Sequence, residues 1–245
     1  MSATVTVLET FLDSAGATTT RGPTGTATPS GAANTALIAL VWSTHFQGGP
    51  LPSMSGTPLG KTWTQISTNA WSNADDERRI TAFWADGDGA TAGTMTVTYP
   101  SNDALTYIEI FEVTEMDTAS LIVQEVSDRA NNSGGDSGTS NGETLTFAAV
   151  GDAENVLILA TYINNSGITV TPGSGWTEFA EQTDTGPQTT THAQWKVNDT
   201  TADVSWSSTA VRWGQIGFEL AWKDPAAGGV AVQDVLGGGI VPFGR

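Results

Sequence analysis

The stretch Asn34-Thr35-Ala36-Leu37-Ile38-Ala39-Leu40 is short and mostly apolar, and Asn155-Val156-Leu157-Ile158-Leu159-Ala160 repeats its character 121 residues later. Apolar runs of this length, continuing as residues 37–42 and 156–160, read as central strands covered on both faces. Each leads through a Pro/Gly loop into a tryptophan strand: Gly60-Lys61-Thr62-Trp63-Thr64-Gln65-Ile66 in the first case, Gly175-Trp176-Thr177-Glu178-Phe179 in the second. Ala82-Phe83-Trp84 then matches Ala193-Gln194-Trp195, a Thr/Ser-rich strand reaches Tyr99 or Trp206, and Ile110-Phe111-Glu112 matches Gly217-Phe218-Glu219. The matched positions lie 121, 113, 111 and 107 residues apart, so order is kept while the loops shorten. That is the pattern of a duplicated strand unit.

Working outward, strands are predicted at residues 5–11, 37–42, 62–67, 79–85, 94–99, 105–113 and 121–126. A second series follows at 143–147, 156–163, 176–181, 192–197, 202–207 and 213–222. Gly/Pro/Asn/Asp clusters separate them, and helical periodicity is absent, which makes the chain all-β. In the strand around Glu109, Ile108 and Ile110 face one way and Glu109 the other. The expected architecture is an antiparallel jelly-roll β-sandwich over 1–223, with pseudo-repeated halves at about 1–126 and 143–223. Two separate small sandwiches joined by the polar, Gly-rich segment 131–138 are the other arrangement this pattern allows. A single body is favoured because separate halves would leave edge strands exposed.

Charge narrows the partners. Nine Lys and Arg against 26 Asp and Glu give a formal charge of −17. No basic face can be assembled for nucleic acid or an anionic membrane, and Asp75-Asp76-Glu77 offsets the one basic pair, Arg78-Arg79. There is no cysteine, hence no disulfide and no thiolate chemistry. Met1 to Val7 carries neither a basic segment nor an apolar run of signal-peptide length, so export by that route is not expected.

Motifs for chemistry are sparse. The only histidines are His45 and His192, with no Gly-x-Ser-x-Gly elbow and no converging pair for a metal. Asp86-Gly87-Asp88-Gly89 lacks an acid at the twelfth position of a calcium loop, where Val97 stands, and reads as a tight turn. No cofactor is expected. Trp63, Trp84, Trp176 and Trp195 occupy matched positions and read as core. Trp71, among Ser72, Asn73 and Asp75, has a loop-like setting, either as a partly buried anchor or as a platform for a sugar ring.

The twice-given succession of apolar strand, Gly-Trp-Thr strand, aromatic strand and closing strand resembles concanavalin-like jelly-roll domains of bacteriophage virion proteins and bacterial surface proteins. The resemblance spans residues 5–222 and rests on packing residues. Glycosidases with that fold carry a Glu-x-Asp-x-x-Glu strand. The nearest match, Glu112-Val113-Thr114-Glu115-Met116-Asp117, has the wrong order and would send Glu112 and Glu115 to opposite faces. The resemblance therefore implies a non-enzymatic structural virion protein, a capsid decoration (cement) protein or else a tail component, located in the virion and forming homo-oligomers. A carbohydrate-binding or adhesion module, with a glycan at Trp71, is the alternative. After residue 223 the pattern breaks into an apolar, Gly-rich arm over 224–245. Val230, Val232, Val235, Leu236, Ile240, Val241 and Phe243 are its expected contacts with major capsid or tail subunits. The Gly/Pro/Thr-rich segment 18–31 is expected to be a further contact arm.

Overall fold

The computed structural model describes residues 3–14, 16–46, 51–72, 76–129, 141–208 and 211–223. One antiparallel sheet contains β1 (Val5–Asp13), β2 (Thr18–Arg21), β3 (Ala36–Phe46), β4 (Ser53–Met54), β5 (Thr64–Ser72), β6 (Asp76–Asp86) and β7 (Val97–Val113). Its main path runs β1-β7-β3-β6-β5, and β2 and β4 pair only with β7. The second half contains β8 (Ile122–Arg129), β9 (Gly142–Thr146), β10 (Val156–Ile163), β11 (Val170–Pro172), β12 (Thr177–Thr185), β13 (Gln188–Val197), β14 (Thr201–Trp206) and β15 (Trp213–Leu220). These form a five-stranded sheet β12-β13-β10-β15-β8 and a three-stranded sheet β11-β14-β9.

The two main paths have the same order when β1, β7, β3, β6 and β5 are matched with β8, β15, β10, β13 and β12. β8, read from the sequence as the close of the first half, pairs with β15 and so opens the second. Even a bulge is duplicated: β5 gains a residue at Ile66 and β12 at Phe179, each packing into the central core. The register corrects one sequence alignment. Ile38 faces Phe111 and Ile158 faces Phe218, so β3 and β10 are offset by 120 residues. An offset of 121 would swap the faces of the strand, because successive side chains alternate.

Four layers follow from this pairing. Ile38, Leu40, Trp42 and Phe111 of one large sheet meet Ile158, Tyr162 and Phe218 of the other in a shared core. The opposite face of β3 buries Leu37, Ala39 and Val41 against Ala27, Leu59, Met95, Val97 and Tyr99. The first residues of β7, paired with β2 and β4, thus form an outer layer over the sheet to which its later residues belong. In the second half the three-stranded sheet does the same, with Leu145, Val170, Val204 and Trp206 over Leu157 and Leu159. β3 and β10 are accordingly the fully covered central strands that their unbroken apolar runs predict. The outcome is an all-β body of antiparallel sheets packed face to face.

Candidate functional site

Trp63, Trp84, Trp176 and Trp195 all pack into one of the three cores, as do Trp42, Trp206, Trp213 and Trp222. Trp71 is not in a loop: it sits near the end of β5, opposite Arg78 of β6. The arm residues Val230, Val232, Val235, Leu236, Ile240, Val241 and Phe243 lie outside the described residues, as does the segment 131–138. The start of segment 18–31 is no free arm. It forms β2 against β7, and its Arg21 is completely buried.

The reason for that burial is a charged cluster which local sequence patterns did not reveal. β3 continues its outward face past Val41 with Ser43 and His45, and β7 brings Asp103 opposite His45. Arg21 donates from Nε to Asp103 Oδ2 at 3.1 Å, from Nη1 to Asp13 Oδ1 at 2.9 Å and from Nη2 to the Gly16 carbonyl at 2.6 Å. Thr106 Oγ1 also donates to Asp103 Oδ2, at 2.5 Å. Ser43 Oγ lies 3.0 Å from His45 Nε2, and His45 Nδ1 lies 3.5 Å from Asp103 Oδ1. The Tyr99 ring closes on His45 edge-on, with centroids 4.8 Å apart.

Hydroxyl, imidazole and carboxylate therefore stand in the sequence of a nucleophilic triad. Access decides against that use, since Ser43, His45 and Asp103 all have 0% exposure. Burial, then the charges of Arg79 and Arg21, lowers the His45 pKa to about 4, so the ring is neutral at pH 7. Burial raises Asp103 to about 7 against the opposing pull of Thr106 and Arg21. The cluster ties β1, β2, β3 and β7 together through one guanidinium and two carboxylates, those of Asp13 and Asp103. A depression of about 310 Å³ nearby is lined by Gly16, Thr44, Ala104, Gly186 and Pro187, but by none of the three triad-like residues.

A second buried carboxylate points into the shared core. Glu109, 1% exposed, accepts from Tyr107 Oη at 2.6 Å and Thr10 Oγ1 at 2.9 Å. Burial raises its pKa to about 7. The acids Glu112 and Glu115 have different settings. Glu112 accepts from the Ser30 backbone N–H at 2.7 Å, whereas Glu115 lies beyond β7 with φ 61°. Asp86-Gly87-Asp88-Gly89 is a turn in which Asp86 Oδ1 accepts the Asp88 N–H at 3.1 Å. Among the described residues no group of three or more His, Cys, Asp and Glu side chains is placed to hold a metal ion.

The second histidine occupies a different row. His192, Thr161 and Gln215 lie side by side across β13, β10 and β15, all at 0% exposure. Burial again lowers the histidine pKa to about 4. On the outside, the three-stranded sheet carries a shallow depression of about 430 Å³ lined by Glu143, Thr144, Thr171, Asp203 and Ser205. Thr144 Oγ1 donates to Asp203 Oδ1 there at 2.6 Å. No protein family matches this chain, nor does any curated protein or solved structure.

Proposed function

We propose that the chain is a non-enzymatic structural protein of a virion, a capsid decoration protein or else a tail component of a tailed bacteriophage or related virus. The observation that carries this reading is where the polar chemistry sits. Both histidines, and the carboxylates Asp103 and Glu109, are sealed between layers and hydrogen-bonded or packed as struts. Such an interior makes a stiff body, and what it offers a partner is its shape and its polar, acidic surface. Strand duplication supports the same reading, since paired sheets give a broad, stable platform from about 220 residues. Docking would fall to loops and to the apolar positions between Val230 and Phe243, where each buried square ångström contributes about 25 cal/mol. Repetition over a symmetric shell turns weak single contacts into firm attachment.

The test is fractionation of particles from cells that encode the chain, read by immunoblot and electron microscopy. The chain should travel with the particles as a homo-oligomer. Removal of residues 224–245 should lower incorporation while leaving the body folded. Recovery solely in the soluble fraction, or full incorporation of the truncated chain, contradicts the proposal.

A further inference from the structure

The row His192–Thr161–Gln215 is polar where its counterpart in the first half, Thr81–Val41–Ile108, carries Val and Ile at two of its three positions. Burying polar atoms without partners is costly, and native proteins rarely do so without a reason. Yet His192 Nδ1 and Nε2, Gln215 Oε1 and Trp213 Nε1 are all buried with no hydrogen-bond partner. The one side-chain bond inside the row joins its two reactive groups: Gln215 Nε2 lies 3.3 Å from Thr161 Oγ1. The Thr161 hydroxyl oxygen thus accepts from the amide nitrogen of Gln215, which holds a hydroxyl beside a primary carboxamide in a dry layer.

We propose that Thr161 and Gln215 join spontaneously in an intramolecular ester bond that staples β10 to β15. Thr161 Oγ attacks the side-chain carbonyl carbon of Gln215, and the hydroxyl proton passes to His192. The C–N bond then breaks, His192 returns the proton to the leaving nitrogen, and one ammonia departs. One O–H and one C–N bond are exchanged for one C–O and one N–H bond, so no oxidant or co-reactant is required.

The surroundings suit each step. His192 stands directly opposite Thr161, about 5 Å away between Cβ atoms as cross-strand partners do. Its ring is neutral, the form that can take a proton, although burial holds its pKa down, and neither ring nitrogen is engaged in a hydrogen bond. Glu178 Oε2 lies 3.4 Å from His192 Nε2, placed to steady the imidazolium that forms briefly. Trp213, two residues before Gln215 on the same face of β15, has an N–H with no other partner for the oxyanion. Exclusion of water protects the ester from hydrolysis, and loss of ammonia makes its formation one-way. The first half cannot do this, because Val41 has no hydroxyl and Ile108 no amide.

Intact-mass measurement of the purified full chain tests the proposal. The mass should fall below that of the sequence by about 17 Da, one ammonia. Trypsin cleaves after Arg129, Lys196, Arg212 and Lys223, so the peptides 130–196 and 213–223 should be recovered as one linked species. That linkage distinguishes the ester from ammonia loss at a single asparagine. Thr161→Ser should keep the link, whereas Thr161→Val should restore the full mass. His192→Phe should leave the full mass in freshly made protein, and a link formed there at the wild-type rate would overturn the proton-transfer role. A wild-type chain of unreduced mass with separate peptides would overturn the proposal, leaving only a hydrogen-bonded pair.

Discussion

The first half, from β1 to β7, and the second, from β8 to β15, lay down their large sheets in the same order with the same bulge, yet they fill their outer layers differently. In the first, one strand of 17 residues, β7, does what β14 and β15 do separately, and Arg21 fastens the outer layer by charge. In the second, aromatic packing of Trp206 on Trp213, with centroids 5.7 Å apart, lies in the corresponding layer. Gly217 replaces Ile110 at the matched position, because a Cβ there would approach the Phe147 ring to 2.7 Å. Duplication has preserved the shared core and left the outer faces free to diverge. The differences between the halves are therefore where specialisation is concentrated.

The largest expected effect falls where the halves meet. Trp42 is fully buried in the shared core, and its Nε1 donates to the Thr161 carbonyl across the layers at 3.0 Å. Its counterpart Tyr162 returns the bond from the other side, 2.6 Å from Thr44 Oγ1. Trp42→Ala should cost about 4–5 kcal/mol in urea unfolding, and Tyr162→Ala should come close to it. An effect on one half alone would break the equivalence. Next is Arg21→Met, which strands Asp103 in a dry layer and should cost about 3–4 kcal/mol. Among the described residues of the second half none has this role, so the loss should appear first in hydrogen exchange of β1 and β2.

A pH measurement sharpens the comparison further. Glu109 has Ile216 as its counterpart, so only the first half titrates at this place in the core. Its pKa rises from 4.5 unfolded to about 7 folded, so the folded chain holds a proton that the unfolded chain releases between those values. Stability from this group is present at low pH and is lost as pH rises through that window. The histidines, lowered from 6.5 to about 4, act in the opposite sense and lose stability as pH falls. Comparison of Glu109→Gln with wild type isolates the carboxylate. The variant should gain about 3 kcal/mol relative to wild type between pH 4 and pH 8. The smallest effect compares two matched acids. Glu219 accepts from Gly151 N at 2.9 Å, Asn155 Nδ2 at 2.6 Å and Gln124 Nε2, while Glu112 accepts from Ser30 N. Glu219→Gln should cost about 2 kcal/mol and Glu112→Gln about 1, both by urea unfolding.

What could be read in the sequence was whatever a short window contains. The apolar runs of β3 and β10, and the tryptophans of β5, β6, β12 and β13 or of the turns leading into them, carry their period and composition locally, and so the strand order and the repeat followed. β2 was missed because Thr18 to Arg21 has no apolar alternation: it is held by an arginine whose partner lies 82 residues away. β4 and β11 are two and three residues long, too short for a periodic signal. The alignment of β3 with β10 slipped by one residue because the asparagines before them, Asn34 and Asn155, occupy different positions in the register. The Ser43–His45–Asp103 cluster and the His192–Thr161–Gln215 row depend on strand neighbours far apart in the chain. His192 and Gln194 could be placed on one face of a strand, but nothing local identified Thr161 or Gln215 as their neighbours. Glu109 looked like the polar side of an alternating strand, and only the second large sheet turns that side inward.

Calorimetric unfolding of the full chain tests most directly whether the duplicated halves act as one body. A core shared by Ile38, Phe111, Ile158 and Phe218 requires a single transition whose calorimetric and van't Hoff enthalpies agree. Two resolved transitions, each shifted by substitutions in only one half, would contradict it.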